Sequence, residues 1–317
     1  MNTIPREADW DRAPSLVEGA MSVELTPRTA NLRYWLRAVA QGTLLGRPDG
    51  HDPGLAVPAF MREPGPLRDA LIAEYAFRSV AEDKAARALG YLVAIAPDTD
   101  TMEFYATQVL DEARHAMVFR NHLLALGVPA ANLWQTVEAF AGADVHAVLD
   151  PLEEFALKVM RDDADFLGGV VMMTIVIEGA LAPAAELSER KWRPLDPVAA
   201  EIDRGAGIDE IRHLTVGAAI AKQYLADHPA ELERAVELIA RGMHMWEVLP
   251  VHDVVLRREQ LFQRGLERHA DVVGDYEVWP GRRLVDTTPE ERVATADEWS
   301  REMKASRLTD IGLEDAL

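Results

Sequence analysis

The chain has 317 residues, 49% of them apolar, with 53 acidic against 33 basic side chains and a formal charge of −20. Such a charge repels a polyanion, and no basic patch offsets it, which argues against nucleic-acid binding. There is no cysteine, so disulfides, thiolate metal sites, iron–sulfur clusters and cysteine nucleophiles are excluded. Any metal must be held by His, Asp and Glu.

Residues 1–66 read as an N-terminal segment with a short helix around Leu32–Leu45, followed by an irregular Pro- and Gly-rich approach. The N-terminus lacks the basic start and apolar run of a secretory signal. A helical pattern rich in Ala, Leu, Glu and Arg opens the main domain, residues 67–273, and stops before Pro97. Asp100 with Glu103 resembles a capping box for a second helix, which ends near Leu126 at Gly127 with Pro129 beyond. After a segment near Leu133–Ala147, Asp150-Pro151 supplies a start signal for a third long helix, reaching about Arg190 and bent at Gly168-Gly169 and Pro183. Its most apolar stretch, from Val170 to Ala182, includes Thr174 and Glu178 and is too short and too polar to span a bilayer. Asp196-Pro197 repeats the start signal for a fourth helix ending near Ala226. Helices over Pro229–Leu249 and Val251–Val273 follow, then a polar C-terminal tail, residues 274–317, with a short helix after Thr288-Pro289. No alternating strand pattern is present, so the expected fold is all-α, in a soluble cytoplasmic protein.

Two pentads carry chemistry. Asp111-Glu112-Ala113-Arg114-His115 lies midway along the second helix, and Asp209-Glu210-Ile211-Arg212-His213 midway along the fourth. On a helix, Glu and His three apart share a face, so their ligating atoms converge on one metal. One Glu-x-x-His is commonly a solvated face; two copies sharing four identities in five positions point to a paired metal site.

A two-metal bundle needs one further carboxylate from each partner helix. In an antiparallel hairpin, facing residues stand at equal distances from the turn. Pro97 marks the first turn, and Glu82 stands as far before it as Glu112 stands after it. Pro194 lies in the second turn, and Glu178 and Glu210 are likewise equidistant from it on either side. Glu178 lies in an apolar run where a lone carboxylate would cost several kcal/mol, which a metal, or a buried Arg114 or Arg212, would offset. Glu82 is preferred over Glu74, two turns earlier on nearly the same face. Asp111 and Asp209 stand one turn before each His, placed to accept an imidazole N–H, and Arg114 and Arg212 balance the accumulated negative charge. His122, His146, His244 and His252 lack this convergence and are expected at the surface or an interface.

These residues resemble the ferritin-like di-iron carboxylate superfamily, in the branch of ribonucleotide reductase small subunits, ligand-binding oxidases and bacterial multicomponent monooxygenases. The likeness spans about residues 67–226. It implies a ferritin-like four-helix bundle with additional N- and C-terminal helices, holding two Fe ions or a mixed Mn/Fe pair. Glu112 and Glu210 would bridge the metals, Glu82 and His115 complete one, and Glu178 and His213 the other. Asp209 would hydrogen-bond His115, and Asp111 would hydrogen-bond His213. Phe119 stands where reductase subunits carry a radical tyrosine. Ala85 and Met173 replace the cross-linked pair of the ligand-binding oxidases, and Ala182 replaces the monooxygenase threonine. Specialised oxygenases remain, including nitrogen-oxidising enzymes of natural-product biosynthesis such as the azoxy-forming valanimycin-pathway type, although Ala206 stands where the arylamine enzymes carry an extra His. The resemblance implies O2 activation and oxidation of a small organic substrate bound near Ala81, Ala85, Phe119, Met173 and Ala182. Electrons would come from a reductase or ferredoxin, and a homodimer is the expected assembly. The alternatives are a radical-generating reductase subunit and an iron-binding ferroxidase.

Overall fold

The computed structural model describes residues 4–313. Among the described residues the protein is all-α apart from one small antiparallel hairpin, β1 (Glu277–Trp279) with β2 (Arg282–Arg283), a feature too short to show a strand pattern in sequence. In chain order the main helices are α1 (residues 32–44), α2 (Pro66–Ile95), α3 (Thr99–Ala125), α4 (residues 133–162), α5 (Phe166–Trp192), α6 (Pro197–Asp227), α7 (Leu232–Val248), α8 (Val251–Leu266) and α9 (Pro289–Ile311). The one-turn helix Ala270–Val273 is separate from α8, dividing the span expected as one element.

Local chemistry accounts for most boundaries. Pro66 occupies the first turn of α2, where its missing N–H is not needed. The cap of α3 is Asp98, whose Oδ1 accepts from the Thr101 N–H at 2.9 Å, so the helix starts two residues before the expected Asp100 and on a simple cap in place of the Asp100–Glu103 box. Leu126 closes α3, and Gly127 takes φ +87° beyond it, a left-handed position suited to glycine. Asp196 caps α6 through the amides of Val198 and Ala199 at 3.2 and 3.1 Å.

Asp150-Pro151 does not start a helix. Asp150 is itself helical, within a run continuous from Leu133 to Asp162. Its carboxylate pairs with His146 at 2.6 Å and Lys84 at 3.0 Å instead of capping. The preceding π-helical turns at Val145–Leu149 are wide enough to accept a proline that has no N–H to donate. The break falls at residues 163–165, where Ala164 has φ +48° and Asp165 caps α5 through the Gly168 N–H at 2.9 Å. Gly168-Gly169 therefore sits at a helix start and not at a mid-helix bend. A Cβ on Gly169 would meet Leu92 at 2.6 Å, so this glycine permits close approach to α2.

Helix α5 is π-helical over Met172–Ile177, immediately before Glu178. The Trp246 indole N–H donates to the Val176 carbonyl at 2.6 Å, satisfying one backbone group of the π segment. By length and composition α5 is apolar enough to cross a membrane, but 83% of its most apolar window is buried within the protein, as in a core helix.

Helices α2 and α3 pack together, α5 packs on α6, and α3 contacts α6 between the two pairs; α8 lies on α2. The C-terminal helix is 23 residues long, not a short helix in a polar tail. It packs on α5, α6 and α8 and buries Val293, Met303, Leu308 and Ile311. One large apolar cluster includes Tyr75 and Phe119, and a second includes Phe104, Tyr105 and Met173. Along α3 they bracket Glu112 and His115, so the polar site occupies the interval between them.

Candidate metal centre

Each pentad faces inward from the middle of a long helix, and its Asp, Glu and His are all buried. The structure brings two ligand groups together: Glu82, Glu112 and His115, and Glu112, Glu210 and His213, the atoms of each group lying within 4.8 Å of one another. Glu112 belongs to both. Its Oε2 is 3.1 Å from His115 Nδ1, and its Oε1 is 3.1 Å from His213 Nδ1. Glu82 Oε2 stands 3.9 Å from His115 Nδ1, and Glu210 Oε1 stands 3.8 Å from His213 Nδ1. Glu178 lies outside these close groups. Its Oε1 accepts from the Gln108 side-chain amide at 2.6 Å, while its Oε2 is buried without a hydrogen-bond partner.

The opposite ring nitrogens face aspartates. His115 Nε2 is 3.2 Å from Asp209, and His213 Nε2 is 3.4 Å from Asp111. Each aspartate comes from the other pentad, so α3 and α6 orient one another's imidazoles. Arg114 pairs with Asp209 and Arg212 with Asp111. Neither arginine is therefore the partner of Glu178. Asp111 also accepts from the Trp35 indole at 3.1 Å, and Arg212 donates to the Thr107 hydroxyl at 3.0 Å.

Electrostatics reflect the crowding. Burial, then Glu112, pushes the Glu82 carboxyl well above the usual range, and burial with Glu210 does the same to Glu178. Burial also opposes the charge on Glu112, but His213 and His115 outweigh it and hold its carboxyl low. His115 rises to about 10 against the cost of burial because Asp209 and Glu112 face it. His213 is likewise raised, chiefly by Glu112, against the cost of burial.

A metal pair fits these residues. Glu112 Oε1, Glu178 Oε2, Glu210 Oε2 and His213 Nδ1 are buried and lack hydrogen-bond partners, a costly arrangement unless a ligand answers them. His213 Nδ1 and Glu112 Oε1 approach closely without hydrogen-bond alignment, as lone pairs aimed at a shared third point would. Four glutamates balance two divalent ions, and carboxylate with imidazole suits Fe and Mn. Binding there would displace the protons that the crowded groups otherwise hold.

A cavity of about 220 Å³ opens against the cluster and is lined by Ala81, Ala85, Met173 and Ala182 with Glu82, Glu112, Glu178 and Glu210. Phe119 does not line it. That ring is fully buried, 4.8 Å from the Tyr75 ring and 4.3 Å below the Arg78 guanidinium, so it is a packing residue. His122 is also buried rather than superficial, its Nε2 3.0 Å from Asp196; it ties α3 to the start of α6. His146, His244 and His252 are exposed.

Trp35 and Gln108 are site residues that sequence reasoning misses. Gln108 precedes Glu112 by one helical turn, a local signal for the same face; Trp35 has none, since α1 reaches Asp111 only through the tertiary fold. No protein-family model matches the chain, and a search of curated proteins finds no match.

Proposed function

We propose that this protein is a ferritin-like non-haem di-iron oxidoreductase, an oxidase or oxygenase that activates O2 and oxidises a small organic substrate. Nitrogen oxidation is the form of that chemistry suggested by the resemblance to natural-product oxygenases. One observation carries the reading: Glu112 is shared by two Glu/His groups, and its Oε1, Glu210 Oε2 and His213 Nδ1 are buried with no hydrogen-bond partner. The α2/α3 and α5/α6 pairs around these groups suit a ferritin-like bundle.

Glu82, Glu112 and His115 would hold one ion; Glu112, Glu210 and His213 would hold the second, with Glu178 reaching it from the π-helical step of α5. Bound iron would supply the electrons for O2 reduction and the oxidant for the substrate, with replacement electrons from a reductase or ferredoxin. Asp111 and Asp209 fix the imidazole orientations, and the arginines fix the aspartates. The largely apolar cavity would leave space for an organic molecule beside the ions, a feature that iron storage does not need.

Anaerobic addition of ferrous iron to the full chain, metal analysis and then exposure to O2 provide the test. Two metals per chain and an O2-dependent absorption change are expected. Fewer than about two metals with no spectral response would overturn the proposal. His213→Ala and Glu178→Ala should each reduce loading, and unchanged loading in either would remove that residue from the ligand set.

A further inference from the structure

The cavity beside the acidic cluster extends along α2 to Phe77 and to Arg258 of α8. Its cationic side chains differ in how fully they are paired. Arg78 has Asp203, Lys84 has Asp150 and Glu153, and Lys191 has Glu74 and Glu259. Arg258 shares its partner. Its Nη2 donates to Asp144 Oδ2 at 3.0 Å, while Arg257 takes Oδ1 at 2.9 Å. One carboxylate thus serves two guanidiniums, leaving one positive charge unanswered.

The arrangement at Arg258 favours an incoming anion. Its Nε is buried without a hydrogen-bond partner. Its guanidinium lies 4.1 Å from the centre of the Phe77 ring, and the side chain is only 13% exposed. Glu74 is the other acid that faces it, but its oxygens are occupied by Ser188, Trp192 and Lys191. A stacked, desolvated guanidinium with free donors matches a carboxylate in geometry as well as charge. Phe77 precedes Glu82 by five residues, or about 7.5 Å of helix. The 220 Å³ cavity exceeds the roughly 150 Å³ that accommodates benzene.

We propose that Arg258 anchors the anionic end of the substrate, a small amphipathic carboxylate whose apolar body fills the cavity and whose far end meets the acidic cluster. This assignment deepens the oxygenase reading and rests on it for the word substrate, but the anion site is measurable alone. The probe is hexanoate, compared with 1-hexanol by calorimetric titration of the full chain, both metal-free and loaded with Mn(II). Hexanoate should bind at least about 10-fold tighter than 1-hexanol in both forms. Arg258→Met should weaken hexanoate by about 10-fold or more and leave 1-hexanol unchanged. Asp144→Asn removes the competing carboxylate and should tighten hexanoate, a gain that poor folding does not produce.

Equal binding of the two probes, or hexanoate binding indifferent to Arg258→Met, overturns the proposal. So does hexanoate binding that requires Mn(II) and ignores Arg258, because the carboxylate then sits on the metal. Metal counts on the same samples separate the two readings. A chain that binds hexanoate through Arg258 but takes up no metal loses the oxygenase function and keeps the anion site.

Discussion

Glu112 has its two oxygens facing different imidazoles at the same 3.1 Å, and each imidazole is held from behind by an aspartate of the opposite helix. Asp111 is the more heavily supported of these, with Trp35, Arg212 and His213 all directed at it. Asp111→Asn retains the volume but removes the charge and places an amide donor near His213. Metal affinity should fall by about 10- to 100-fold, with the saturating stoichiometry unchanged. Trp35→Phe should move affinity in the same direction by less. Competition against a chelator of known affinity measures both, and equal affinities would show that Asp111 does not orient the ligand. Gln108→Leu tests the other isolated contact. It strips the donor from Glu178 Oε1 and should destabilise the metal-free chain by about 1–3 kcal/mol, with added metal recovering part of the loss. No loss in urea unfolding would show that Glu178 does not depend on Gln108. The pentads are visible in sequence because a Glu and a His three apart share a face wherever the helix goes. Trp35–Asp111 and Gln108–Glu178 join residues 76 and 70 positions apart, and no local pattern encodes such pairings.

Among the elements, α2, α3 and α6 are readable because Pro66, Pro97, Gly127 and Asp196-Pro197 mark their ends with backbone chemistry that needs no tertiary partner. The hairpin count from Pro97 brings Glu82 to Glu112 for the same reason: equal lengths of regular helix run back from the turn. Asp150-Pro151 misleads because π-helical turns relax the rule that proline ends a helix, and nothing in residues 145–149 announces them. The C-terminal helix is underestimated in sequence because cations occupy its buried face. Arg292 is fully buried and Arg307 nearly so, which erases the apolar stripe by which an amphipathic helix is recognised. Arg292 binds Glu259 at 2.5 Å and the Thr287 hydroxyl at 2.7 Å, pinning α9 to α8. Arg292→Met should therefore cost about 3–5 kcal/mol, since it leaves a buried carboxylate with one cation fewer. Urea unfolding is the measurement, and a loss below about 1 kcal/mol would mean that apolar packing alone retains α9.

Across the whole molecule, buried ionic contacts run from the site region to the last helix: Arg78 of α2 to Asp203 of α6, through Ser188 of α5 to Glu74 of α2, then Lys191, Glu259 of α8 and Arg292 of α9. Ser188 has one hydrogen to offer two carboxylates. If Asp203 keeps its proton, it donates to the Ser188 oxygen while Ser188 donates to Glu74, and both contacts are satisfied. The charge balance agrees. Burial pushes Asp203 up to about 7 against the pull of Arg78, with Glu74 adding to the rise. Burial also opposes the charge on Glu74, but Lys191 and then the Ser188 hydroxyl bring it down to about 2. The two groups act on stability in opposite senses. Glu74 contributes stability that is present above its ordinary value of 4.5 and is lost as pH falls toward about 2. Asp203 contributes stability that is complete below its ordinary value of 3.8 and is lost as pH rises to about 7. Asp203→Asn stays neutral at every pH, so its stability relative to the parent should improve from about pH 4.5 to about pH 7.5 and then level off. Urea unfolding of both proteins at those two pH values gives the difference directly. A difference that does not change with pH would mean that Asp203 is ionised beside Arg78 throughout, and that Ser188 does not relay a proton between the two acids.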